Sequence, residues 1–256
     1  MGTCKLCRTI AELQDSHLAP SAMYKYLREP WKQNPNPIVI DRNKTSSSSK
    51  QVKDYVLCRE CEDLFNKNGE NWILRQVWNG REFPLLDRLN VAVQHHALSE
   101  ALAFSGKAVG IDTEKLGYFA LSMVWRAGAH VWTTPFGQKT NLLDLGSYEE
   151  PIRQYLLGKG PFPSDVAVLA HVCTDSISAN SFILPVRISA IPWTSFTMLT
   201  LGIYLHVLTG AIPPELRTLC CVSSPNRLIL QRDCTKKTAE VFTQLMATST
   251  PTKALS

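Results

Sequence analysis

The sequence predicts an α+β fold in which a small cysteine-bearing module precedes a larger domain that runs helices first and strands afterwards. Three observations predict it. Two CxxC pairs, Cys4/Cys7 and Cys58/Cys61, sit in the first quarter of the 256 residues. Apolar residues then recur at helical spacing from Leu85 to Val131. From Val166 onward they alternate or run together as strands do. Helices grouped before strands indicate α+β rather than an alternating, parallel architecture. With 45% hydrophobic and 19% charged residues, the chain has enough apolar side chains for a sizeable core, which excludes wholesale disorder. Eight cysteines are too few for a small disulfide scaffold of this length.

The module is assigned to residues 1–80. Met1 to Cys7 has no apolar h-region, which points away from a signal peptide and towards the reducing cytoplasm. Leu6 stands where a myristoylation motif needs Ser or Thr. Reduced thiols favour metal binding over disulfides. A long polar excursion follows, Trp31 to Pro37 and then Thr45 to Lys50, and reads as flexible loop around a short strand at Ile38-Val39-Ile40. Tyr55-Val56-Leu57 leads into Cys58. After Cys61, the positions Leu64, Phe65, Trp72, Ile73 and Val77 suggest helix, interrupted at Asn68-Gly69.

Residues 81–256 form the second assigned domain. An amphipathic helix is expected over Leu85 to Phe104, and His95-His96 would lie on it facing apart. Asp112 or Thr113 caps a second helix running to about Val131, and a short helix starts at Pro151. Arg126 and His130 fall one turn apart on the second helix, placed to meet a phosphate or a carboxylate of the module such as Glu62 or Asp63, with interdomain packing the favoured reading. Strands are expected at 166–173, 182–188, 195–208 and 228–231, and a last helix at 237–246. No Asp, Glu, Lys or Arg occurs between Arg187 and Glu215, long enough to span a bilayer. Its period-two alternation from Leu199 to Val207 identifies buried sheet instead, so no membrane partner is expected.

The net charge of +5 is concentrated. Between Tyr24 and Lys53 lie the seven cations Lys25, Arg28, Lys32, Arg42, Lys44, Lys50 and Lys53, against Glu29 and Asp41. A basic loop beside a metal module is what a phosphate-backbone contact looks like, and Lys25, Arg28, Lys44, Lys50 and Lys53 are its candidate contacts. A solvated, solubilising loop is the competing reading.

Cys4, Cys7, Cys58 and Cys61 are the spacing of a closed tetrahedral zinc site, which is structural and carries no catalysis of its own. The other four cysteines (Cys173, Cys220, Cys221, Cys234) follow no ligand spacing and read as buried thiols. Between the pairs stands Asp15-Ser16-His17-Leu18-Ala19-Pro20, and Glu62 follows Cys61 directly. Over residues 4 to 75 this order resembles the HNH endonuclease family of treble-clef (ββα-metal) folds. The resemblance implies a structural zinc on the four cysteines. It also implies His17 as the general base activating water, and a catalytic magnesium or manganese ion held in part by Glu62. The chain departs from the pattern in having Ser16 in place of an ion-binding Asp or His, Lys53 or Asp54 in place of Asn, and Glu62 in place of a terminal His or Asn. Asp15 would point to the opposite strand face from Ser16.

Two functions follow as expectations. One is an HNH-like, metal-dependent endonuclease acting on nucleic acid with His17 as base. The other is a catalytically inactive zinc-binding module for nucleic acid or protein. A third reading makes residues 85–256 a sensing or partner-docking domain that controls the module. A protein partner or homo-oligomer is a further expectation, and a role in defence systems is implied by family analogy alone.

Overall fold

A computed structural model of the chain describes residues 1–28, 36–40 and 44–251. It is α+β, with the four-cysteine cluster at the N-terminus and a seven-stranded mixed sheet beyond it. Lys32 and Arg42 of the basic loop lie outside the described residues.

The N-terminal part is built on two short hairpins and a helix. Strands β1 (Gly2–Thr3) and β2 (Ile10–Ala11) pair antiparallel around the first CxxC. Strand β3 (Leu13–His17) is followed by helix α1 (Ser21–Arg28), β4 (Ile38–Ile40) and β5 (Lys44–Ser47). Residues 45–47, expected in a loop, are therefore strand, paired to β4 with Ile40 opposite Thr45. Thr45 and Ser46 are buried there, so a polar composition conceals a packed strand. Strand β6 (Lys53–Cys58) returns to β3, placing His17 opposite Lys53 and Ser16 opposite Asp54. Helix α2 (Arg59–Phe65) begins directly from Cys58. Asn68-Gly69 does not break it. A π-helical turn at Asn66–Glu70 carries the chain straight into α3 (Asn71–Ile73).

The expected helix over Leu85 to Phe104 is a further correction. Only α4 (Pro84–Asn90) is helical, after which β7 (His96–Ala97) and β8 (Leu102–Ser105) form an edge hairpin. Val91 and Val93 are exposed, so the apolar stripe does not continue, and pairing of β8 with the distant β15 (Leu228–Arg232) decides the state. His95 and His96 are accordingly off any helix, with ring centroids 5.0 Å apart.

Helix α5 (Thr113–Ala129) starts where expected, with the Asp112 carboxylate accepting the Lys115 N–H at 3.0 Å. It is buried nearly all round, as a helix enclosed on every side must be. A hairpin of β9 (Trp132–Thr133) and β10 (Lys139–Thr140) follows, then α6 (Glu149–Leu156). The sheet strands are β11 (Val166–Cys173), β12 (Phe182–Ala190), β13 (Trp193–Thr200) and β14 (Ile203–Gly210), with α7 (Ser176–Ala179) between the first two. Helix α8 (Pro214–Thr218) precedes β15, and α9 (Thr235–Thr248) follows it. The single strand expected over 195–208 is instead a hairpin. Leu201 and Gly202 turn it with φ of 43° and 93°, both in the left-handed region that a two-residue hairpin turn requires. Strand order is β12-β13-β14-β11-β15-β8-β7, antiparallel except for the β11–β15 pair. The short strand β16 (Thr250–Pro251) returns to pair parallel with β5. Among the described residues no helix is long and apolar enough to cross a membrane.

One buried cluster runs without interruption from Cys4 and Leu57 through Phe65, Phe119 and Trp125 to Val207 and Ile229. Helix α5 is its axis, contacting α3 and the π turn on the module side and β12 and β14 on the sheet side. Its approach to the π turn is close enough that Gly69 has no room for a side chain. A Cβ there would stand 2.9 Å from the Phe119 backbone nitrogen. In an open helix Gly→Ala is stabilising by about 0.5–1 kcal/mol. Here the clash reverses the sign, and Gly69→Ala is expected to lower stability by about 1–3 kcal/mol in denaturant unfolding. An unchanged or raised midpoint would show that α5 and the π turn are not in contact.

Candidate functional site

The first CxxC lies in the tight turn between β1 and β2. The Cys4 N–H donates to the Thr9 carbonyl and the Arg8 N–H to the Cys4 carbonyl, each at 2.9 Å, and Arg8 adopts a φ of 64° to close the turn. The second CxxC is placed by the end of β6, with Cys58 as the residue before α2 and Cys61 in its first turn. The Lys5 N–H donates to the Val56 carbonyl at 3.1 Å and the Cys58 N–H to Cys4 Sγ at 3.3 Å, which locks the two segments together. All four sulfurs lie within 4.8 Å of one another. Zinc–sulfur bonds of about 2.3 Å set the sulfurs of a tetrahedron about 3.8 Å apart. Cys7 Sγ and Cys58 Sγ are separated by 3.8 Å. The donor set and spacing are consistent with a structural zinc. The Cys61 thiol, donating to Cys4, pulls Cys4 down to about 4, while burial pushes Cys58 up to about 12.

His17 occupies the last position of β3, beside Lys53. It opens into a cleft of about 570 Å³ lined also by Ser49, Lys50, Gln51 and the β9–β10 turn from Thr133 to Gly137. Burial lowers the His17 pKa below 6.5, and the Lys53 and Arg126 charges act in the same direction, while Asp15 opposes them. The imidazole is therefore neutral at pH 7 and able to accept a proton. Lys53 is paired with Asp15 across the strands, and Asp15 is exposed on the opposite face from buried Ser16, as expected from strand alternation. Lys50 is exposed at the rim. Lys25 and Arg28, on α1, and Lys44, on β5, do not line this cleft. Arg28 Nε donates instead to the Tyr24 carbonyl at 3.1 Å.

Glu62 does not join His17. It is half-buried, its Oε1 has no hydrogen-bond partner among the described residues, and it is not part of the cleft wall. Burial raises its carboxyl pKa, opposed by the Ser16 hydroxyl and the Arg126 charge. Among the described residues no group of three His, Cys, Asp or Glu ligands converges around His17 or Glu62. The residues present thus do not fit a magnesium or manganese ion shared by these two side chains.

What does reach the module is Arg126. Its side chain is only 2% exposed. Nη1 donates to the His17 carbonyl at 2.9 Å, Nη2 to the Glu70 carboxylate, and Nε to the Ser122 carbonyl at 3.4 Å. The guanidinium carbon lies 4.9 Å from the Phe65 ring centroid. One turn on, His130 Nε2 bonds the Asp54 carboxylate at 2.9 Å. The expected packing of Arg126 and His130 against the module holds, but on Glu70 and Asp54 rather than Glu62 or Asp63. At the knuckle, Arg153 donates to the Leu6 carbonyl and pairs with Glu150, which also receives Arg8 at 2.7 Å.

No family model, curated protein or solved structure matches this chain. The site stands on its own geometry.

A buried guanidinium and carboxylate left unpaired are each costly, so the Arg126–Glu70 pair is more sensitive to truncation than to replacement. Arg126→Ala is expected to cost about 3–5 kcal/mol in denaturant unfolding, and the apolar double variant R126M/E70L to recover part of that loss. A cost below about 1 kcal/mol for Arg126→Ala, typical of exposed pairs, would contradict burial of this contact.

Proposed function

We propose that the chain is a zinc-stabilised, nucleic-acid-acting protein whose N-terminal module is HNH-like, with His17 as general base for phosphodiester hydrolysis. The observation that carries the reading is the His17 cleft. A neutral imidazole opens beside two lysines, on a strand–strand–helix frame that ends in the second cysteine pair. Further support for a treble-clef module is the order of its parts: a CxxC turn between β1 and β2, the β3–β6 pair, and a helix carrying the last cysteines at its start.

In this reading Lys50 and Lys53 attract the phosphate, and the hydroxyls of Ser49, Thr133 and Thr134 donate to its oxygens. His17 takes a proton from the attacking water. Arg126 fixes the strand end from behind, through the His17 carbonyl, while the ring lines the cleft and bonds the Gln51 side chain. Glu62 takes no part, and no step runs through a divalent ion held by it.

The placement of Glu62 favours a second reading, a module that binds nucleic acid at the same cleft without cutting it. The two separate in one set of assays on the full chain. For the nuclease, wild-type protein cleaves single- or double-stranded DNA or RNA and His17→Ala abolishes cleavage with binding retained. Because the His17 pKa is lowered, activity persists below pH 6.5 and is lost only as pH falls through the depressed value. For the binder, cleavage is absent. In both readings the affinity falls steeply with salt, and Lys50→Ala/Lys53→Ala reduces the log–log slope by about one per lysine. Salt-independent affinity, or none for any nucleic acid, would overturn both.

A further inference from the structure

The four cysteines without spacing in the sequence are not equivalent in space. Cys173 Sγ, Cys234 Sγ and a carboxylate oxygen of Asp175 lie within 4.8 Å of one another. We propose that these three side chains form a second metal site, a mixed thiolate–carboxylate zinc centre separate from the four-cysteine cluster.

The three donors come from three elements that the backbone already holds together. Cys173 is the last residue of β11, Asp175 the residue capping α7, and Cys234 the residue before α9. Around them the Cys173 N–H donates to the Gly202 carbonyl at 2.8 Å and the Thr174 N–H to the Arg232 carbonyl at 3.0 Å. Asp175 Oδ1 accepts the Ser178 N–H at 2.8 Å and Oδ2 accepts the Cys234 N–H at 3.0 Å. These bonds orient the carboxylate and hold the strand end against the helix start before any ion arrives, as supporting hydrogen bonds do in metal sites. Both thiols are fully enclosed, at 0% and 1% exposure, whereas Thr174 and Ser176 beside Asp175 are exposed. The carboxylate side is therefore where a water completes a fourth position.

The donor chemistry selects the ion. Two sulfurs with one oxygen suit zinc, which accepts both, and disfavour magnesium and calcium, which require oxygen shells. Two thiolates and a carboxylate carry three negative charges, and a divalent ion leaves one. Arg232 and Lys237 are the cations that face Cys234 and offset it. Lys237 is held there over the Tyr204 ring, 4.5 Å from its centroid. The centre ties the end of β11 to the start of α9, and through α9 to β16, which pairs with β5 of the N-terminal part.

The test is the zinc content of the full chain, kept reduced and measured by elemental mass spectrometry. Cys173→Ser/Cys234→Ser is expected to hold one zinc equivalent per chain fewer than wild type, with an unchanged far-UV circular dichroism spectrum. Cobalt substitution should show the same loss as a difference in thiolate-to-cobalt absorption. Should the double variant fail to fold, Asp175→Asn gives the answer. One zinc equivalent is then released to a chelator at least about tenfold faster than from wild type. Equal zinc content in wild type and a folded double variant, or unchanged release from Asp175→Asn, overturns the proposal. Recovery of Cys173 and Cys234 joined as a disulfide from protein kept reduced overturns it too.

Discussion

Four sulfurs from two segments must meet at one point, and the N-terminal half of the fold is arranged around that requirement. Cys7 and Cys58 are 51 residues apart in sequence and 3.8 Å apart in space. Between them the chain makes β3 and comes back as β6, paired antiparallel with it across a register shift between Leu13 and Asp15. Closing such a loop costs entropy, which strand pairing alone does not offset and which burial of Leu57, Val56 and Leu18 in the shared core offsets in part. A metal ion bound by the four cysteines would add binding free energy to that of folding, as it does in other small metal-stabilised modules. The register of β3 with β6 then puts Ser16 inside and leaves His17 at the strand end, facing the cleft. The position of the proposed base is thus a consequence of where the cysteines are.

The second constraint is a buried cation. A guanidinium as enclosed as Arg126 is tolerated only with its donors satisfied. Glu70 neutralises it, two carbonyls take further N–H groups, and the Phe65 ring covers it. One of those carbonyls belongs to His17. The strand end that presents the imidazole is therefore held from within the core, by a helix that also packs against α6 and the sheet. Arg126 thus joins the end of β3 to a helix that packs on β12 and β14. Arg153 repeats the device at the other end of the module, where it bonds the Leu6 carbonyl inside the first CxxC turn.

Much of this was legible from residues alone. The CxxC spacing located the cluster, Asp112 marked the start of α5, and the apolar run from Val166 to Cys173 matched β11 at both ends. The Arg126–His130 pair, one helical turn apart, pointed to the module. What was not legible depends on partners far away in sequence. β8 reads as the tail of a helix until β15 is beside it. The turn at Leu201-Gly202 is hidden inside an apolar run because Leu carries one of its left-handed residues. Glu62 follows Cys61 as a ligand would, yet its carboxylate is half-buried outside the cleft wall, a matter of helix phase that a one-dimensional pattern does not encode. Cys234 has no motif spacing from Cys173 and Asp175, since the four strands β12 to β15 come between them in the chain.

The central claim is that metal at the four-cysteine cluster holds β3 against β6 and so holds His17 in place. The most direct measurement is residue-resolved hydrogen exchange on reduced protein before and after zinc is stripped by a chelator. The account predicts that the amides of Lys5 and Cys58, which bond across the cluster, lose protection together with that of Leu57, which donates to the Ser16 hydroxyl, and with those pairing β3 to β6. The β13–β14 amides at the far side of the sheet should keep theirs. Unchanged protection across β3 and β6 in the stripped protein would contradict it.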